Sequence, residues 1–155
     1  MKIVIDSREK NRLEFKVDGV EESIECLNVG DYSAYINGLL DSTVIERKEI
    51  SDLFNSFTNN YDAERSKITR AKELGLKYIL AIECSWSEIR KGHSYWKDGQ
   101  VHESKKSGLA MVRQLLSIST KYGVEVHCFQ SRSEMKFWIL EYFLSKERLL
   151  NKKSD

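Results

Sequence analysis

Glu46 and Lys48 stand two residues apart where an apolar run, Thr43-Val44-Ile45, gives way to three consecutive charges. In an extended strand that spacing projects both side chains from one face and Arg47 from the other. A carboxylate beside an ammonium can hold a water or a phosphate, although charges at a strand end are also common as a solvated terminus. Asp31 shifts the balance. The stretch 31–36 is followed by Asn37-Gly38 and then by 43–48, and Asn-Gly between two strand-like runs is a strong hairpin signal. With the loop running through Asp41 and centred near Leu39 or Leu40, Asp31 falls opposite residues 47–48 and its carboxylate beside Glu46. Two carboxylates in contact repel each other unless a positive charge joins them. Hard oxygen donors of this kind suit Mg²⁺ or Mn²⁺.

Two further groups belong to this candidate site. Asp52 falls in the first turn of a following helix, away from its apolar stripe, where it either faces the same cleft or simply favours the helix N-terminus. Asp6-Ser7-Arg8-Glu9 ends the first strand; such a cluster is commonly a turn, but Arg8 there could also hold a phosphate while Asp6 and Glu9 orient its neighbours.

The elements that must position these residues follow from the apolar pattern. Lys2–Asp6, Leu13–Val17 and Ser23–Leu27 read as short strands, followed by the hairpin. Ile50, Leu53, Phe54 and Phe57 recur at helical spacing. Tyr61–Leu74 reads as a second helical stretch ended by Gly75, and Tyr78–Ile82 as a central strand covered on both faces. The polar, aromatic stretch Trp86–Lys106 predicts a long surface loop. Leu109, Val112, Leu115, Leu116, Ser119 and Tyr122 form a further helical stripe, and Val124–Phe129 a strand. Ser131-Arg132-Ser133-Glu134 matches a capping box that opens a last helix, with Met135, Trp138, Ile139, Tyr142 and Phe143 as its buried stripe. Strands first, then helix, strand, helix, strand, helix, predict an α/β fold with a mixed sheet between helices.

Asp6-Ser7-Arg8-Glu9, then Gly30-Asp31-Tyr32, then Glu46-Arg47-Lys48 followed after three residues by Asp52 resemble the nuclease domain of the XPF family of structure-specific DNA endonucleases. Its signature is a GDY turn followed by ERK, three variable residues and Asp. The resemblance extends from residue 1 to about residue 145. It implies a restriction-endonuclease-like core, shared with the wider PD-(D/E)xK group. It also implies metal ligation by Asp31 and Glu46 with the backbone carbonyl of Arg47, and a lysine, Lys48, that orients the attacking water and offsets charge at the phosphate. Asp52 and Arg47 would complete the catalytic cluster, with Asp6, Arg8 and Glu9 as its supporting edge. The implied activity is Mg²⁺- or Mn²⁺-dependent cleavage of flap, fork or branched DNA to 5′-phosphate and 3′-hydroxyl ends, in the setting of DNA repair or recombination. A catalytically silent DNA-binding scaffold of the same fold is the alternative, and RNA as substrate a third reading. Many relatives carry a glycine-arginine pair where this chain has Asn60-Tyr61, with Arg65 as a candidate substitute. Family precedent also makes the later helices a candidate surface for a homodimer or heterodimer.

Basic residues interleaved with aromatics mark DNA-binding surface. Arg90, Lys91, Tyr95, Trp96, Lys97, Lys105 and Lys106 are the best candidates, although a solvated loop would also carry them. Arg65, Lys67, Arg70 and Lys72 on the second helical stretch fit a charged outer face equally well. His93 and His102 lack the neighbours of a zinc site, and His127 alternates with buried strand residues.

Length and composition agree with a single folded domain over 1–150 and a polar tail over 151–155. Of 155 residues 41% are hydrophobic and 32% charged, a balance unlike that of a disordered chain. The net charge of +1 gives no argument for nucleic acid, so the distribution of charge matters more than its sum. Cys26, Cys84 and Cys128 read as buried free thiols. With no signal-peptide pattern and no apolar run long enough to cross a bilayer, the expected setting is cytoplasmic, in a prokaryote or phage more than a nucleus.

Overall fold

Short β-branched runs and tight polar turns give the chain nine strands and five helices among residues 1–152, which the structure, a computed structural model, describes. β1 (Lys2–Asp6), β3 (Tyr32–Ile36), β5 (Thr43–Lys48), β6 (Lys77–Ile82) and β9 (Glu125–Cys128) form the body of one mixed sheet. β2 (Glu21–Glu25) closes one edge and β4 (Leu39–Leu40) pairs with β3, giving the order β2-β1-β3-β5-β6-β9. β1 and β2, β5 and β6, and β6 and β9 run parallel; β3 runs antiparallel to both β1 and β5.

Two apolar layers cover the sheet. Alternation along β5 and β6 sends Val44, Tyr78, Leu80 and Ile82 to one face, under α1 (Ile50–Thr58), α2 (Tyr61–Glu73), α3 (Trp86–Lys91) and α4 (Gly108–Tyr122). Ile45, Ile79, Ala81, Tyr32 and Ala34 go to the other face, packed by Met135, Ile139 and Phe143 of α5 (Arg132–Asn151). β6, apolar on both faces, is the central strand that its uniform sequence predicts.

The hairpin differs in register from the expected one. Asn37 and Gly38, both at positive φ, make a two-residue turn, and β3 first pairs with β4, Ile36 opposite Leu39. Asp41 and Ser42 then intervene, and β5 pairs with Tyr32 opposite Ile45. The pairing sum rises from 75 to 77 across that step, which places Asp31 opposite Glu46 rather than opposite 47–48.

Four other expectations are corrected. Leu13–Val17 is extended but forms no strand; Leu13 and Phe15 bury their side chains, and the Leu13 N–H donates to the Tyr32 hydroxyl at 3.0 Å instead of to a ladder. The stretch 86–106 is folded: Ser85 and Glu88 close a capping box on α3, and β7 (Ser94–Lys97) pairs with β8 (Gln100–Glu103) around an Asp98-Gly99 turn. The buried stripe of α4 is Met111, Leu115 and Ile118, so that Leu109 and Leu116 face outward. Cys26 is exposed, while Cys84 is buried, Cys128 is partly buried, and all three are free. The polar tail expected over 151–155 begins inside α5, and residues 153–155 lie outside the described residues. No helix among the described residues is long and apolar enough to cross a membrane.

Candidate active site

Face alternation decides which charges meet. Glu46 and Lys48 share the parity of Val44, so they turn toward α1 and α2; Arg47 shares that of Ile45 and turns toward α5. Asp31 precedes Tyr32, which packs on the α5 face, and therefore projects with Glu46. Its backbone is stitched in place on both sides. The Asp31 N–H donates to Ile45 O and the Asp6 N–H to Asp31 O, each at 2.8 Å. Its carboxylate Oδ2 accepts the Arg47 N–H at 2.7 Å.

The catalytic-type lysine is buried and held from three sides. Lys48 Nζ lies 3.3 Å from Glu46 Oε1, 3.1 Å from Glu64 Oε1 and 3.2 Å from Ser56 Oγ. A second ammonium, Lys67 of α2, reaches Glu46 Oε1 at 2.7 Å and Glu64 Oε1 at 3.4 Å. Burial alone would lower the Lys67 pKa, but Glu46, Glu64 and Asp31 outweigh it and hold the group charged above its usual range. Burial of the Tyr78 hydroxyl, with the charges of Glu46, Glu64 and Asp31 added, lifts its pKa well above the ordinary phenol value.

Asp31 shows the strain of the arrangement. Burial first, and then the Glu46 carboxylate, push its pKa up to about 8 against the opposing Arg47 N–H. Such a carboxylate gains from any cation that reaches it and Glu46 together. In a strand a residue's N–H and C=O point to the same edge, so the Arg47 carbonyl faces the Asp31 side as its N–H does. No group of three or more His, Cys, Asp or Glu is arranged for a metal among the described residues. Two carboxylates and a carbonyl still fit Mg²⁺, which commonly takes one or two protein carboxylates and fills its remaining positions with water and phosphate oxygens.

The remaining signature residues support this centre. Asp6 takes Arg8 as a two-point pair, 2.7 Å to Nε and 2.9 Å to NH2, and also accepts the Leu27 N–H at 2.8 Å. Arg8 NH2 in turn donates to Leu27 O at 2.7 Å, so the pair braces the loop that ends in Asp31. Burial would raise the Asp6 pKa, but the bonds from Arg8 and Leu27 bring it below the usual carboxylate value. On the opposite face Arg47 bonds Glu49 at 2.6 Å and Glu83 at 2.7 Å, with Glu9 3.9 Å away. It thus ties together the ends of β1, β5 and β6 behind the site. Asp52 is exposed on α1, one turn before Ser56 on the same helix face, and lies outside both the cleft lining and the hydrogen bonds of the site.

A cleft of about 620 Å³ opens over Asp31 and Glu46. Its acidic floor faces a rim of Arg8, Lys67 and Arg70. Arg65 sits elsewhere, half exposed and paired with Asp62 at 3.0 Å. Among the other basic candidates, Lys106 is partly buried, donates to Phe57 O at 2.6 Å and bonds Gln114; burial lowers its pKa. Arg90, Lys91, Tyr95, Trp96, Lys97 and Lys105 cluster around α3 and the β7–β8 hairpin. Glu64 went unrecognised in the sequence, and Lys67 was weighed as a DNA contact or part of a charged outer face rather than as a partner of Glu46. The signal was there: Glu64 falls in the helical series Tyr61, Glu64, Ile68, Ala71, a carboxylate within a buried stripe.

A mixed sheet flanked by helices in this order defines a restriction-endonuclease-like α/β fold. Residues 5–142 match the ERCC4 domain, and the chain belongs to that family, an XPF-type nuclease domain. The fold is also similar to the solved structure of XPF from Aeropyrum pernix, with TM-score 0.65 and 18% identity, over 99% of this chain and 69% of that one. The same archaeal protein in complex with DNA aligns with TM-score 0.61 and 18% identity, over 98% of this chain and 66% of that one. Comparison with curated proteins gave no match.

Proposed function

We propose that this domain is a Mg²⁺- or Mn²⁺-dependent endonuclease that hydrolyses DNA phosphodiesters at flaps, forks or branches, leaving 5′-phosphate and 3′-hydroxyl ends. The observation that carries the reading is the shared placement of Asp31 and Glu46 on the floor of one cleft lined by Arg8, Lys67 and Arg70, with Lys48 buried against Glu46. A negative floor under a positive rim suits a phosphate bridged to a cation. Asp31, Glu46 and the Arg47 carbonyl would hold the metal. When bound, it lowers the pKa of a water and offsets charge building on the phosphate. Lys48, buried against Glu46 and Glu64, orients the attacking water and stabilises negative charge on the phosphate. Lys67 and Arg70 hold the flanking phosphate from α2, and Arg8 does so from the opposite wall. The DNA complex of the archaeal relative and the general metal dependence of XPF-type nucleases support the assignment.

The test is cleavage of linear, flap, fork and four-way DNA with each divalent cation. Glu46→Ala should lower turnover at least about a thousandfold while circular dichroism stays unchanged. Lys67→Met should lower it by about a hundredfold, on the scale of removing one electrostatic donor. Cutting that persists in excess EDTA would overturn the reading.

One observation favours a silent module. The Lys67 ammonium already satisfies Glu46 and Glu64 at 2.7 and 3.4 Å, as a protein without a metal would need. Failure to cut any substrate with either metal, with DNA binding intact, would decide for it. α5 carries Phe137 at 64% exposure, which supports association with a second chain through the later helices. Sedimentation of Phe137→Glu against the parent protein would show whether that face is used.

A further inference from the structure

The β7–β8 hairpin is its own two-stranded sheet, and a hairpin this short is marginal without support. Its base is secured: the Ser104 N–H donates to His93 O at 2.8 Å, and Lys106 pins the following segment to the C-terminal end of α1 through Phe57 O. From that base a line of rings runs outward along one face. Phe54 of α1 lies 5.7 Å from His93, His93 lies 6.4 Å from Tyr95, and Tyr95 lies 5.7 Å from its cross-strand partner His102. The last two pairs are within 25° of parallel. Trp96 and Val101, by strand alternation, occupy the opposite face of the hairpin.

Between this ring face and α1 lies a second cleft, about 460 Å³ in volume. Asn55 and Asn59 form one wall, His93 and Tyr95 the other, with Lys97 and Lys105 at its mouth. Neither lysine makes a salt bridge among the described residues, and both are exposed. A half-exposed ring, amides opposite it and two unpaired ammonium groups are what one unpaired nucleotide requires. The ring stacks on the base, the amides meet the base edges, and the ammonium groups meet the phosphate. A globular protein partner would instead be met by a larger apolar patch with a polar rim.

The position of the cleft relates it to the catalytic centre. Asn55 borders the hairpin cleft, and the adjacent Ser56 bonds the buried Lys48. The two sites therefore adjoin neighbouring faces of the same helix, α1. We infer that the cleft between α1 and the β7–β8 hairpin is a binding site for an unpaired DNA base, stacked on Tyr95 and held through its phosphate by Lys97 and Lys105, next to the catalytic centre. This rests on DNA being the substrate, but not on cleavage taking place.

The experiment is equilibrium binding in EDTA, so that no cutting occurs, of a blunt duplex and the same duplex bearing a five-thymidine overhang. The parent protein should favour the overhang by about tenfold, the size expected for one stacked base. Tyr95→Ala should remove that preference, Tyr95→Phe should keep it, and Trp96→Ala on the opposite face should keep it. Replacing the overhang bases by abasic sites should reduce the parent protein to its blunt-duplex affinity. A preference that survives Tyr95→Ala, or is lost equally with Trp96→Ala, would overturn the site, as would a parent protein that does not distinguish the two DNAs. Metal-dependent cleavage by the parent protein is scored separately, so a silent nuclease centre and an empty base cleft give different results.

Discussion

Asp31 is the residue on which chemistry and stability oppose each other. Its pKa, about 3.8 when unfolded, is pushed up to about 8 by burial and by Glu46. Between those values the folded chain binds a proton that the unfolded chain does not, so stability falls as pH rises through the window. Asp31→Asn keeps an acceptor for the Arg47 N–H and removes the charge. Thermal melts without metal should therefore show the variant gaining on the parent protein more at pH 8 than at pH 5; an equal gain at both would show that Asp31 is not strained. The proximity of Asp31, Glu46 and Lys48 was legible because their spacing admits few arrangements once a hairpin is granted. Glu64 and Lys67 were not, because charges on a helix are read as surface unless one lies within the apolar stripe. The pairing of Asp6 with Arg8 was not legible either, since it depends on where Leu27 comes to rest.

Among the elements, the turn before β3 does the most positioning. Gly30 has φ +82°, and a Cβ there would meet the Val44 Cβ at 3.0 Å. Gly30→Ala should cost about 1–3 kcal/mol, read as a lower urea midpoint. It should also slow cleavage beyond that loss, because Asp31 is the next residue. A variant of unchanged midpoint would show that the turn relaxes freely. The helix α1 was legible from its stripe, and α5 from its stripe and its Ser131 cap. The register was off by one or two positions because a two-residue step at Asp41 and Ser42 leaves no mark in apolar alternation. The stretch 86–106 escaped for a different reason: its hairpin is exposed on both faces, so it lacks the period that burial imposes, and only Asp98-Gly99 marked its turn.

At the scale of the molecule, a ligand that binds only the folded chain adds RT ln(1 + [L]/Kd) to its stability, about 2.7 kcal/mol at a hundredfold excess over Kd. For a chain of this size that is a rise of several degrees in Tm. Mg²⁺ should raise the Tm of the parent protein and leave Glu46→Gln unmoved, which tests metal binding without any substrate; an equal rise in both would place the ion elsewhere. Charge is also sorted across the molecule. Arg8, Lys67 and Arg70 line the cleft rim and Lys97 and Lys105 the hairpin cleft, while the outermost strand, β2, reads Glu21-Glu22-Ser23-Ile24-Glu25. That strand leaves one side of its backbone without a neighbour in the sheet, and Ile24 is exposed upon it. Bare strand margins recruit other strands, and negative side chains along them discourage it. The three glutamates thus act as a fence for a protein that would otherwise be free to polymerise edge to edge. Exchanging them for threonine or valine should turn that far border into a seed for fibres, read by light scattering, while leaving the cleft over Asp31 and Glu46 intact.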